Sequence, residues 1–326
     1  MTDISTHAAA LDPEVAAALA ALPFDIGAAL GSLTDETIGE VRAAMSQMPV
    51  PPLTDQVLRT DHEIPGSGGV VVRVHRPVDV KGALPCVYWM HGGGLVLGDF
   101  AGDDARFDVW CPQLGCVGVS VQYRLSPETK YPGPLDDCYA GLAWVHQHAD
   151  ELGVDATRLG VGGQSAGAGL AAGLALRARD QGEVPLAFQL LIYPGTDMTT
   201  KTESRRLFER GFYLTDEFMN LVKAHYLPDA TRWADPEASP LLCELPEGLA
   251  PAYLATAGFD PLRDEGEAYA RKLADAGVAV ELRRFPDQIH GFLNAVGAGR
   301  TSRAATAEMA ARLAAGLGAG PAGARQ

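Results

Sequence analysis

Short apolar, β-rich runs alternate with Ala- and Leu-rich helical stretches along most of this chain, and that rhythm limits the folds open to it more than any other feature. The runs at 56–64, 70–76, 85–90, 116–122, 158–163, 187–193, 252–257 and 278–285 read as about eight strands. Helical candidates lie at about 134–150, 166–180, 263–276 and 302–316. A strand, a helix and another strand in succession need a crossover connection. The pattern therefore predicts an α/β fold with a mostly parallel sheet flanked by helices on both faces. Pro65-Gly66-Ser67-Gly68-Gly69 separates the first two runs and reads as a hairpin, which predicts an antiparallel edge.

The chain has 326 residues, 47% of them hydrophobic, enough for a large core in one domain or two. Residues 1–50 read as a leader with helical pieces near 13–22 and 34–48, ended by Pro49, Pro51 and Pro52. The segment 195–235 breaks the rhythm, being polar and aromatic with a helical piece at Asp216–Tyr226. It reads as an inserted helical cap over the sheet. Residues 317–326 are expected to form a disordered tail. No internal repeat is evident.

A formal net charge of −15 argues against a nucleic-acid partner, since phosphate binding needs clustered Lys and Arg. It equally disfavours docking on an anionic membrane. No apolar run reaches the ~18–20 residues that cross a bilayer. The N-terminus lacks a basic region followed by an apolar one, so a cytoplasmic location is expected. The five cysteines show no CxxC pair and no Cys/His zinc spacing. Cys111 and Cys116 are near enough in sequence to pair, but reduced core thiols are the better reading.

The chemistry-bearing signal is Gly163-Gln164-Ser165-Ala166-Gly167, which follows a strand and opens a helix. That is the context of a nucleophile elbow, whose tight turn projects the serine hydroxyl. Alone, a GxSxG pentad also fits an ordinary strand-to-helix turn. His91-Gly92-Gly93-Gly94 follows another strand and suits an oxyanion loop, because glycines let backbone N–H groups approach a developing charge. No Gly-Lys-Ser/Thr follows, so a phosphate loop fits less well. His91 precedes the serine and reads as structural. Asp260 and His290 each follow a later strand, in the order Ser, Asp, His of α/β hydrolases. Separately, Asp260 reads as a helix cap before Pro261 and His290 as a loop histidine. Together the four pieces predict acyl-transfer chemistry.

These residues carry a close resemblance to the bacterial hormone-sensitive-lipase-like esterases, a branch of the α/β-hydrolase fold. The likeness includes Tyr123-Arg124-Leu125-Ser126-Pro127-Glu128, Tyr131-Pro132, Asp136-Asp137-Cys138, Ser239-Pro240-Leu241, the run from Asp260 to Gly266 and His290-Gly291-Phe292, over roughly 50–315. It implies one catalytic domain whose cap comes from the leader and 195–235. It implies Ser165 as nucleophile, His290 as general base and Asp260 as its orienting acid. The oxyanion hole would use the N–H groups of Gly93, Gly94 and Ala166, with Gly92 shaping the turn. Glu128 would brace the active-site loops. The implied substrate is a small ester of short to medium acyl length, with no metal or cofactor required. Phe212, Tyr213 and Leu214 are candidates for the entrance or for packing. Oligomeric state stays open, a homodimer included.

Gln164 departs from the family's usual Asp, or sometimes Thr, and Ala168 stands where a further glycine is common. Gln164 keeps hydrogen-bonding capacity without a charge near His290. Gln164→Asp is therefore expected to keep activity and move the acid limb of the pH–rate profile upward. Two rival readings stand beside ester hydrolysis. One is a ligand-binding protein on the same fold, against which the presence of His290 counts. The other is the same triad acting on an amide, lactone or carbonate.

Overall fold

A strand covered on both faces must be apolar throughout, and the sequence supplies such runs. Leu84–Met90, Phe188–Ile192 and nearly all of Ala252–Phe259 are buried along their length. Val57–Glu63 is buried at Val57 and half-buried or exposed along the rest, as an edge strand can be. In the computed structural model, which describes residues 10–22, 26–47, 52–293 and 299–320, these runs form one eight-stranded sheet. Its strands are β1 Val57–Glu63, β2 Val71–Pro77, β3 Leu84–Met90, β4 Val117–Gln122, β5 Val154–Gln164, β6 Phe188–Ile192, β7 Ala252–Phe259 and β8 Val280–Ile289. Their order is β1-β2-β4-β3-β5-β6-β7-β8. β2 runs antiparallel to β1 and β4, and every other pairing is parallel. The α/β expectation and its antiparallel edge both stand.

The helices are α1 Pro13–Ala20, α2 Ile26–Gly31, α3 Asp35–Ser46, α4 Asp104–Leu114, α5 Gly133–Gln147, α6 Ala149–Leu152, α7 Ala166–Gln181, α8 Glu203–Leu207, α9 Asp216–Tyr226, α10 Arg263–Asp275 and α11 Arg300–Gly316. The two-residue period of β3 divides the core. Cys86, Tyr88 and Met90 pack with side chains of α5, α7 and α10, whereas Val87 and Trp89 pack with those of α4 and α11. α4 is absent from the sequence reading, although Phe107, Trp110, Cys111 and Leu114 give it a buried stripe at helical spacing. All five cysteines are free.

The ordered chain also outlasts its expected end. Leu317 is buried in the α4/α11 layer with Ala319 packed against it, so 317–320 are not a disordered tail; 321–326 lie outside the described residues. The expected helix over 34–48 ends at Ser46, and Met48 and Pro49 lie outside the described residues. Among the described residues, no helix is long and apolar enough to cross a membrane.

After β3 the chain adds β4 on one side, then returns to place β5 on the other. Such a reversal opens a crevice beyond the carboxyl ends of the two strands. The glycine loop after β3 and the Ser165 turn after β5 both stand there.

Candidate active site

β5 ends at Gln164 and α7 begins at Ala166, so Ser165 is the whole junction. Its backbone sits at φ 57° and ψ −126°, a strained region for a non-glycine residue. The turn is this tight because Gly167 lies against β3, where an added Cβ would strike the carbonyl oxygens of Met90 and His91. Among the described residues the other non-glycine positions at positive φ are Leu95, Tyr193 and Tyr213. Leu95 lines the cavity beside Ser165, Tyr193 packs on His290, and Tyr213 approaches Gly291. Backbone strain is thus gathered around one crevice.

β8 delivers His290 and β7 delivers Asp260. His290 Nε2 lies 2.8 Å from Ser165 Oγ, and Nδ1 lies 2.8 Å from Asp260 Oδ2. Asp260 is fully buried, and its Oδ1 accepts the Leu262 N–H at 2.8 Å, which fixes the carboxylate plane. A carboxylate can only accept, so Nδ1 carries the ring proton and Nε2 accepts from the serine hydroxyl. Residues 165, 260 and 290, far apart in the chain, therefore meet as the order of motifs predicts.

The glycine loop faces them. Gly93 sits at φ 120°, and its carbonyl accepts the N–H groups of Val96 and Leu97 at 3.3 and 2.9 Å. That closes a turn only glycine adopts without strain. Gly94, Ser165 and Ala166 share the wall of a cavity of about 90 Å³, while Gly92 packs behind the serine against Gln164. Gly93 stands next to Gly94 in the same turn. Phe218, Met219 and Val222 of α9 cover the cavity, and α2 packs against α9. Of the three entrance candidates, only Leu214 reaches the wall. Phe212 stacks on Phe259, and Tyr213 packs near Gly291.

Polar groups behind the crevice are organised too. His91 Nδ1 lies 2.8 Å from its neighbour's carbonyl at Gly92, and its ring stacks on Tyr123 at 4.2 Å. Burial pushes its pKa down, which keeps it neutral in a structural place. Gln164 Oε1 accepts from Arg106 Nη2 at 3.0 Å and from the Tyr193 hydroxyl at 3.3 Å. Arg106 also pairs with Asp103 at 3.0 Å, whose carboxyl burial nevertheless holds above its usual range. Glu265 is 1% exposed and lines the cavity, and burial pushes it up to about 8. Glu128 pairs with Arg42 at 2.8 Å, tying α3 to the turn at Ser126.

Sequence reasoning missed Tyr193, Arg106 and Glu265. Glu265 stands inside a motif it had singled out, but a Glu in a first helical turn reads as an ordinary exposed acid, and its burial is a tertiary fact.

The model of the alpha/beta hydrolase fold family matches residues 87–294. The carboxylic ester hydrolase LipN of Mycobacterium tuberculosis (strain ATCC 25618 / H37Rv) is 43% identical over 284 residues, 85% of this chain and 75% of that protein. The solved structure of a thermostable esterase from Pseudomonas putida ECU1011 superposes with a TM-score of 0.87 at 36% identity, covering 96% of this chain and 99% of that one. A bacterial heroin esterase superposes with a TM-score of 0.84 at 39% identity, covering 94% and 98%. A family match over more than half the chain, on this sheet order and with this serine turn, means that the chain belongs to the alpha/beta hydrolase fold family.

Proposed function

We propose that this protein is a carboxylesterase that cleaves short- to medium-chain carboxylic esters through an acyl-enzyme on Ser165. The observation that carries this is the contact chain from Ser165 to His290 to Asp260, 2.8 Å at each link, beside a cavity walled by Gly94 and Ala166. The esterase names of its relatives and structural neighbours support the same reading.

His290 takes the serine proton as Oγ attacks the ester carbonyl. The N–H groups of Gly93, Gly94 and Ala166 stabilise the oxyanion, with Gly92 shaping the turn. Asp260 stabilises the imidazolium. His290 then protonates the departing alcohol, and water repeats the sequence on the acyl-enzyme. The cavity is lined mainly by apolar side chains beneath α9, which suits the hydrocarbon part of a short acyl group. α2 and α9 act as the cap that closes it.

Ser165→Ala tests the assignment. Turnover of p-nitrophenyl butyrate should fall by about 10³-fold or more. Wild-type turnover in that variant would sink the reading. A p-nitrophenyl series from acetate to palmitate should peak at short acyl chains.

A further inference from the structure

Two helices outside the sheet hold the loop that carries Gly93 and Gly94. α9 lies directly on Gly94, where an added Cβ would come within 2.7 Å of Val222 and 2.9 Å of Phe218. From α3, the half-buried Arg42 reaches the same loop with its guanidinium. Nε donates to the Val96 carbonyl at 2.8 Å, and Nη2 donates to the Ser126 carbonyl at 2.6 Å. The Glu128 carboxylate accepts from Nη1 at 2.8 Å and from Nη2 at 3.1 Å, which fixes the plane of the fork.

These bonds lead to the oxyanion donors by a short route. The Val96 and Leu97 N–H groups both donate to the Gly93 carbonyl, so residues 93–97 form one closed turn. Inside that turn the Leu95 carbonyl accepts the Ser126 N–H at 2.8 Å. Arg42 spans the same junction, with Val96 on one side and Ser126 on the other. Leu95 sits at φ 62°, a conformation that a non-glycine residue keeps only while its neighbours hold it. Gly94 before it, at φ 65°, has no side chain to anchor it. The turn therefore depends on its carbonyl partners. A donor N–H helps catalysis only when it already points to where the charge appears, since turning it during the reaction would use up much of the new bond's energy. Without the guanidinium, the Val96 and Ser126 carbonyls lose a charged partner and are free to turn toward water. The peptide planes that aim the Gly93 and Gly94 N–H groups then loosen with them.

We infer that Arg42 is a positioning residue for ester hydrolysis: from α3 it holds the 93–97 turn so that the glycine N–H groups face the oxyanion. The inference rests on the Ser165 acyl-enzyme proposed above.

Two ketones of similar shape read the oxyanion hole apart from ordinary binding: 1,1,1-trifluorohexan-2-one and hexan-2-one. On the trifluoromethyl ketone, Ser165 Oγ bonds to the carbonyl carbon and its proton passes to His290. The carbonyl oxygen becomes the oxyanion, and nothing leaves. Hexan-2-one, far less electrophilic, binds as the intact ketone. Arg42→Met keeps the apolar stem and deletes the donors. Its kcat/KM for p-nitrophenyl butyrate should fall about ten- to hundredfold, short of the ~10²–10³ lost when an oxyanion donor is removed outright. The inhibition constant of the trifluoromethyl ketone should rise by the same factor, and that of hexan-2-one by less than about twofold. A partly unfolded preparation would lower turnover and leave both inhibition constants alone, so the split between the ketones isolates positioning. Arg42→Lys keeps the charge but has one ammonium for two carbonyls. It should lose about three- to tenfold with the same split, and it decides the matter if Arg42→Met does not fold. Wild-type kcat/KM in a folded Arg42 variant, a fall in kcat/KM with an unchanged trifluoromethyl ketone constant, or equal weakening of both ketones would each overturn the inference. Ser165→Ala separates the two levels. If it abolishes turnover while Arg42→Lys matches the wild type, only the positioning role fails. If Ser165→Ala keeps wild-type turnover, the esterase reading itself fails.

Discussion

Gln164 works through what it touches. Its amide oxygen bridges Arg106 and the Tyr193 hydroxyl, and the Tyr193 ring lies 4.7 Å from that of His290. A carboxylate at this position would meet the Arg106 guanidinium before it influenced the imidazole, and the pairing would absorb much of its field. Gln164→Asp should therefore keep activity and raise the acid limb of the pH–rate profile by only a fraction of a pH unit. The same change combined with Arg106→Gln should raise it further. A downward move in either variant, read from kcat/KM between pH 5 and 8, would contradict this electrostatic account. Ser165, Asp260, His290 and the glycine loop were legible in the sequence because acyl transfer demands those residue types, in that order, after strands. Tyr193, Arg106 and Asp103 were not, since nothing in a linear pattern says that a tyrosine 29 positions away will reach the Gln164 amide.

Among the elements, the leader does more than pack as an appendage. At the start of α1, the Asp12 carboxylate accepts from the Glu14 N–H at 2.8 Å, the Thr301 hydroxyl at 2.8 Å and Gln288 Nε2 at 3.2 Å. The Asp12 N–H donates to the Asp287 carbonyl at 2.9 Å, and the Glu14 carboxylate accepts the Arg300 N–H at 2.7 Å. The first turn of α1 thus grips the chain just before His290 and again at the start of α11. The Thr301 bond, chief among these contacts, holds Asp12 below the usual carboxylate range. Asp12→Ala should lower kcat about three- to tenfold with KM nearly unchanged, because it loosens the base and leaves the cavity alone. The lost cap should also cost about 1 kcal/mol of stability. Asp12→Asn should recover part of kcat. Steady-state kinetics on p-nitrophenyl butyrate decide the matter, and a rise in KM with intact kcat would refute the gripping role. The sequence showed that α1 exists; its duty depends on where β8 ends. α4 was harder to read, because its charged first turn and Pro112 mask a buried stripe that only the sheet beneath it explains.

For the whole molecule, opposite proton balances shape stability on the two sides of neutrality. Asp12, Asp155 and Asp216 are held below their usual range by hydrogen bonds and cations that outweigh burial. In the folded state they stay ionised where the unfolded chain has already taken up protons, so their contribution is full above about pH 4 and is lost as pH falls below it. Glu265 runs the other way, because burial pushes it up to about 8. Between about pH 4 and 8 the folded state holds one proton that the unfolded chain has released. Its contribution is therefore largest in acid and declines as pH rises through that window. Asp103, also raised by burial, adds to the same decline, and the net charge of −15 adds self-repulsion. Glu265→Gln removes one titrating group and leaves these other effects in place. The difference in Tm between Glu265→Gln and the wild type should consequently grow in favour of the variant from pH 5 to 8, then level off. Thermal melts across pH 4–9 measure that difference directly. A difference that stays constant with pH would mean that Glu265 is already ionised in the folded protein.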